Sequence, residues 1–299
     1  YPVTEVLPLM ADAPLDQASG LRKMTHIPKP VKVIAIASGK GGVGKTNVTV
    51  NIGVALATQG KKVVLLDADL GLANIDVMLG LHPQFNLLHV LEGDKSLKEI
   101  MVDGPSGLQI IPAASGVKKM AELSPAEHAG MIQAFSELDD HIDILLIDSA
   151  AGIADSVVSF TKAAQEVIVV VCDEPASITD AYALIKLLSR EHGVERFHII
   201  ANMGRSIQEG RELFDKISLV CDRFLDVTLN FMGIVPFDED LRRAVKKQRS
   251  VVEFLPRSKS ATAFQHLAKK IDYWPVAKQP RGNMEFFVER LIQASLEAG

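Results

Sequence analysis

The eight residues GKGGVGKT at 39–46 constrain this chain more than any other stretch. They match G-x-x-x-x-G-K-[ST], a loop whose successive backbone N–H groups converge on phosphate. Glycine permits this because no Cβ blocks the approach. The flanks separate a phosphate cradle from a chance match. VKVIAIAS (31–38) precedes it, a β-branched apolar run that reads as a strand buried on both faces. TNVTVNIGVALATQG (46–60) follows, with Val50, Val54 and Ala57 at helical spacing and Gly60 suited to the C-cap. Such a strand–loop–helix unit aims the positive end of a helix at an anion. Lys45 is then placed to meet the β- and γ-phosphates of a nucleotide, and Thr46 to offer its hydroxyl to Mg²⁺. The candidate nucleotide contacts in the loop are Gly39, Lys40, Gly41, Gly42, Val43, Gly44, Lys45, Thr46 and Asn47.

The strand–helix alternation continues. KVVLLDAD (62–69), LQIIPA (108–113), IDILLID (142–148), EVIVVVCD (166–173), FHIIAN (197–202) and VTLNFMGIVP (227–236) are strand candidates, most of them separated by helical stretches. This pattern predicts an α/β fold, a doubly wound, mostly parallel sheet with helices on both faces. Residues 1–30 are rich in Ala, Asp and Pro without a sustained period and are expected to be a flexible tail. Residues 31–274 form the expected domain, and 275–299 a linker followed by an amphipathic stretch. With 47% apolar residues the core is ample, and a net charge of −5 gives no global basic field for nucleic acid. Cys172 and Cys221 stand apart and read as buried free thiols. No apolar run approaches the ~18 residues a membrane-crossing helix needs, so a cytoplasmic protein is expected.

Carboxylates mark the strand ends, where ligands bind in such sheets. Asp67 and Asp69 lie two apart, on one face of a strand. Asp148 closes the Walker B-like run ILLID and can hold Mg²⁺ through water, and Gly152 leaves the next loop free to respond to a γ-phosphate. Asn74 and Asp76 belong to the segment after Asp69, or are turn formers. Asn202 ends the FHIIAN strand, and its amide presents a donor and an acceptor complementary to an adenine edge. Pro236 and Asp238 lie in VPFD (235–238), where the last strand ends.

The second loop lysine, Lys40, is not needed by a P-loop as such. KGGVGKT resembles the deviant Walker A signature of the MinD/ParA family, and the resemblance covers residues 31–274. It implies a homodimer formed with ATP and a slow, Mg²⁺-dependent ATP hydrolase. Lys40 would reach the partner subunit's nucleotide. DADLGLANID (67–76) would be the first switch, with Asp69 orienting the attacking water and Asp67 near the Mg²⁺ hydration shell. Asn202, Pro236 and Asp238 would hold adenine. Asp180 would lie near the dimer face, or is a surface acid. Asn47 departs from the family, in which many members have a second Thr there; Thr46 keeps the Mg²⁺ role.

Within the family, iron–sulfur carriers need paired cysteines and the tyrosine kinases a tyrosine cluster; this chain has two separated cysteines and three tyrosines. Partition proteins need basic surface, and LRRAVKKQR (241–249) reads as a solvated helix face, so direct DNA binding is not expected. A membrane-associated, MinD-like branch remains. In it, D-Q-A-x-x-L-R at 16–22, PAASG (112–116), LSPAEHAG (123–130) and CDEPASITDAYALIKLL (172–188) resemble the flagellar-number regulators. That implies restraint of flagellar number. The implied partners are the flagellar SRP-type GTPase FlhF, engaged through Asp16, Gln17, Leu21 and Arg22, the flagellar master transcription activator, and C-ring components. A MinD-like cell-division or ParA-like positioning ATPase is the alternative, and a non-catalytic ATP sensor would have no need of Asp69. Met284, Phe287, Val288, Leu291 and Ile292 follow helical spacing across 283–297, opposite Glu285, Glu289, Arg290 and Gln293. That helix would lie on the inner membrane surface in the ATP state, at the cell pole, or dock on the protein's own core.

Overall fold

A computed structural model describes residues 30–69, 74–113, 124–138, 142–276 and 285–287. Among the described residues eight strands form one sheet: β1 (Lys32–Ser38), β2 (Val63–Ala68), β3 (Val102–Asp103), β4 (Gln109–Ile111), β5 (Ile144–Ala151), β6 (Glu166–Val171), β7 (Arg196–Gly204) and β8 (Thr228–Pro236). Their order is β3-β4-β2-β5-β1-β6-β7-β8. Every pair is parallel except β3–β4. The seven expected strands are all present. β3 was not anticipated, because two residues carry no readable period.

The longer helices are α1 (Lys45–Thr58), α2 (Pro125–Ala134), α3 (Asp155–Lys162), α4 (Pro175–His192), α5 (Ile207–Phe224), α6 (Glu239–Lys246) and α7 (Lys259–Asp272). Strand alternation sorts the core into layers. Ile34 and Ile36 of β1 face one side with Val50, Val54, Phe264 and Ile271 of α1 and α7. Val33 and Ala35 face the other, with Ile132 and Phe160 of α2 and α3. Farther along that second face, Val167, Val169 and Ile199 pack on Leu184, Ile185 and Leu213 of α4 and α5. β1 and β2 are buried along their whole length, as strands covered on both faces must be. β1 sits between β5 and β6: the chain leaves it toward β2 on one side, and the β5-to-β6 connection later crosses to the other. The crevice at its C-terminal end is therefore the switch point of the topology.

Of the amphipathic stretch expected over 283–297, the structure describes residues 285–287. Residues 285–287 are a turn, with Phe287 at φ 55°. Phe286 and Phe287 are buried on the α2–α3 face of the sheet. The Phe286 ring meets Phe135 edge-on at 4.9 Å and stacks on Phe160 at 6.3 Å. In this conformation Phe287 of the apolar stripe faces the protein's own core, because two aromatic rings gain more from a packed pocket than from water. The rest of the stretch lies outside the described residues, as do Asp16, Gln17, Leu21 and Arg22.

Candidate nucleotide site

The loop's backbone dictates its glycines. Gly42 and Gly44 both stand at φ 83°, where a side chain would strain the chain. Gly39 answers a different need: a Cβ there would come within 2.1 Å of the backbone carbon of Asp180. Only glycine lets α4 lie directly against the loop. Asp180 thus contributes through its main chain, at the start of the helix beside Lys40.

Behind the loop, Asp148 is fully buried within β5, three residues before its end, and gathers three donors. Its Oδ1 accepts from Lys45 Nζ at 2.7 Å and from Thr49 Oγ1 at 2.8 Å; its Oδ2 accepts from Thr46 Oγ1 at 2.7 Å. A buried carboxylate persists only when paired in this way. Asp67 stands in register with Asp148 across the β2–β5 pair. Burial pushes its carboxyl up to about 7, and the charge of Asp148 adds to the shift; the N–H groups of Ile75, Asn74 and Asp69 act in the opposite sense without cancelling it. Two adjacent buried carboxylates and the Thr46 hydroxyl form an all-oxygen donor set with an excess of negative charge. Mg²⁺ fits that set.

Two adjoining cavities open at the loop and share Gly44 and Asn47. One, about 800 Å³, is lined by Ser38, Gly41, Gly42, Lys45, Thr46 and Asp69, among others. The second, about 520 Å³, carries Asn202, Pro236, Phe237, Asp238 and Arg242 on its wall. Phosphates suit the first and a base the second. Asn202 and Asp238 also have structural work here that the sequence did not reveal. Asn202 is buried and donates Nδ2 to the Val43 carbonyl at 2.7 Å, tying β7 to the loop. Asp238 Oδ1 accepts from Asp240 N and caps α6, while its Oδ2 takes the N–H and hydroxyl of Ser260. Burial alone would raise the Asp238 carboxyl, but these donors hold it below the ordinary carboxylate value.

Lys40 points away from this cluster. Its Nζ pairs with Glu174 Oε2 at 2.9 Å, both side chains standing in solvent. Gly152, at φ 93°, donates its N–H to the Ser38 carbonyl at 2.9 Å, which ties the loop after Asp148 to the end of β1. The stretch 241–249 is less detached than a solvated face. Arg242 and Lys246 line the cavity that carries Asn202, Gln248 the one that carries Lys45, and Val245 both; Gln248 Nε2 donates to the Val77 carbonyl at 2.8 Å.

Three residues of this region escaped the sequence reading: Thr49, Glu174 and Asn51. Asn51 Oδ1 accepts from Ser250 Oγ and the N–H groups of Val251 and Val252, and its Nδ2 donates back to Asn47. The available signal was polar residues, Thr49 and Asn51, spaced among the apolar positions of a helix.

Strand, glycine loop, helix and a paired acid on the neighbouring strand define a P-loop nucleotide-binding protein, and the second lysine marks the deviant Walker A kind. The chain belongs to the ParA/MinD family: a family profile described as ParA, NUBPL iron-transfer P-loop NTPase, matches residues 29–272. Among its relatives is the antiactivator FleN of Pseudomonas aeruginosa, 60% identical over 264 residues, covering 88% of this chain and 94% of that protein. The flagellum site-determining protein YlxH of Helicobacter pylori is 31% identical over 292 residues, 93% of this chain and 98% of its own. The septum site-determining protein MinD of Pyrococcus horikoshii, solved with Mg-ADP, superposes with a TM-score of 0.67 at 29% identity, over 81% of this chain and 96% of that one. The chain is thus FleN-like within the family. The iron chemistry in the profile's description finds no paired thiols here. Cys172 and Cys221 are both buried, and burial pushes each thiol up to about 11. Among the described residues no helix is long and apolar enough to cross a membrane.

Proposed function

We propose that this chain is an ATP-dependent, dimerising regulatory ATPase that restrains flagellar number. The 60% identity to the antiactivator FleN across 88% of the chain carries this reading. It is laid over a nucleotide site complete in both loop lysines and three strand-end acids. The Mg²⁺ ion, when bound at Thr46, Asp148 and the Asp67 side, would neutralise phosphate charge. The chain's own groups do the rest. Lys45 exchanges Asp148 for the β- and γ-phosphates. The N–H groups of residues 41–46 cradle the same oxygens. Asp69 orients the attacking water. Lys40 exchanges Glu174 for the nucleotide of the partner subunit, so ATP and dimerisation depend on each other. Asn202, Pro236 and the Asp238 region flank the base. Turnover is slow, below ~1 s⁻¹, as in P-loop enzymes lacking full charge stabilisation of the transition state.

The dimer is the signalling form. It acts from the cytoplasm at the inner membrane surface near the pole, using residues 283–297. It addresses the master transcription activator and C-ring components. The segment holding Asp16, Gln17, Leu21 and Arg22 stimulates the GTPase FlhF. There Gln17 orients a water against the γ-phosphate, since an amide both donates and accepts, and Arg22 anchors the segment.

Size-exclusion chromatography with ATP, ADP and no nucleotide tests the core of this reading. The Asp69→Ala protein should accumulate as an ATP-bound dimer, and wild type should return to monomer as ATP is consumed. An Asp69→Ala protein that hydrolyses ATP at the wild-type rate would remove Asp69 from the mechanism. One that binds ATP but stays monomeric would remove the dimer switch.

A further inference from the structure

A third concavity lies on the β8 edge of the sheet. It is a groove of about 590 Å³ along β8, between the start of α5 and the length of α7. β8 is the last strand on that side, nine residues long, and only half-buried. The groove has an apolar floor made by Phe231, Ile234 and Leu267. Its depth follows from small residues. A Cβ at Gly204 would lie 2.3 Å from Ile234 Cδ1, and one at Gly210 2.9 Å from the same atom. Glycine at both places lets Ile234 sink between β7 and α5.

The rim is cationic. Arg205 and Arg211 supply the charge on one bank and Lys259 and Lys270 on the other, with the His266 imidazole beside them; all five are exposed, and no Asp or Glu is among the lining residues. The chain as a whole carries a net charge of −5, so this is a local inversion of sign. Ile207, also on the rim, is 66% exposed, an apolar side chain set among cations. Apolar floor and basic banks together suit an occupant that is both apolar and acidic.

The edge itself argues for side-chain recognition over strand addition. The β7–β8 register slips at Met232, and Gly233 beside it stands at φ 144°. Lys270 Nζ donates to the Met232 carbonyl at 2.6 Å. A bulge and a lysine on an edge are how sheets avoid pairing with another strand. A second copy of this chain is disfavoured for the same reason, and because its banks would set cation against cation.

We propose that this groove docks a short acidic segment of a partner protein, with apolar side chains on Phe231, Ile234 and Leu267 and carboxylates on the two basic banks. The groove meets the cavity that carries Asn202 at one shared residue, Pro236, but none of its basic residues lines that cavity, and the proposal does not depend on the function proposed for the nucleotide site.

Fluorescence anisotropy on the full chain tests it with three labelled peptides of equal length. One alternates Glu with Leu, one Lys with Leu, and one Glu with Ser. Only the Glu/Leu peptide should bind, and more weakly as salt is raised. Arg211→Glu and His266→Glu should each weaken that binding roughly tenfold or more, by setting like charges against the peptide, while ATP binding stays at the wild-type level. Equal binding of the Glu/Ser peptide, or its displacement by a DNA oligonucleotide of like charge, would reduce the groove to a general polyanion surface and overturn the proposal. So would unchanged affinity in both variants. Binding that emerges only after residues 1–29 are removed would also overturn it, by placing a segment of this chain in the groove.

Discussion

Lys45 is buried against Asp148, whereas Lys40 stands in solvent on Glu174. Their substitutions should therefore differ in kind. Lys45→Ala strands a buried carboxylate with only two hydroxyl partners and should cost about 3 kcal/mol of stability, the usual scale for breaking a buried pair. It should also abolish binding of a fluorescent ATP analogue. Lys40→Ala breaks an exposed pair and should leave both stability and nucleotide binding near wild type. It should lose the ATP-dependent dimer on size exclusion; normal dimerisation would refute the cross-subunit role. Asp67 gives a pH signature. Its carboxyl is raised from 3.8 to about 7, so in the metal-free protein its ionisation opposes folding increasingly as pH rises across that window, and the opposition is relieved as pH falls. A divalent cation binds the ionised form and must displace a proton below neutrality. Mg²⁺-dependent nucleotide affinity should accordingly weaken as pH drops from about 8 to about 6. The Asp67→Asn protein should show a flatter profile. Identical profiles for the two proteins would remove Asp67 from the metal's surroundings.

Two contacts between elements set the shape of the site. α4 rests on Gly39, so Gly39→Ala must push the helix off the loop by more than an ångström. Nucleotide affinity should collapse while the far half of the sheet stays folded, which hydrogen exchange resolves strand by strand. Unaltered affinity would mean the loop tolerates a displaced α4. The second contact is the Phe286–Phe287 turn on Phe135 and Phe160. Phe286→Ala should destabilise by about 3 kcal/mol if the turn stays docked throughout, the lower end for a large buried ring. A loss near zero in urea denaturation would show that the turn is detached for most of the time.

At the scale of the whole molecule, the proposed membrane contact rests on the C-terminal stretch. The C-terminal stretch is offered to lipid by its sequence, while its Phe286 and Phe287 are buried on the core. Burying each of its apolar side chains in a bilayer interface gains at most ~1.5–3 kcal/mol, less whatever is lost by leaving the pocket around Phe135. A single copy should thus bind weakly, and two copies in one dimer should bind through their raised effective concentration. Liposome pelleting should require both ATP and residues 283–297. Equal pelleting of full-length and truncated protein would assign membrane contact to another surface.

The sequence by itself determined the phosphate loop, the parallel sheet and the acids at its strand ends. Each of these is local: a glycine spacing, a β-branched run, a carboxylate closing it. Seven of eight strands were legible for that reason, and Lys45, Thr46 and Asp148 converge as their motifs require. Only the tertiary structure decided what touches across the chain. Asn202 and Asp238 act as ties between elements, Glu174 holds Lys40, Asn51 bolts α1 to the segment at 250–252, and Phe287 faces protein. These partners are distant in sequence, and a side chain's hydrogen-bonding capacity does not say which of many acceptors the fold will bring to it. The basic groove on β8 is the extreme case. Its basic residues come from two separate stretches of an acidic chain, and only the packing of α5 and α7 on one sheet edge assembles them.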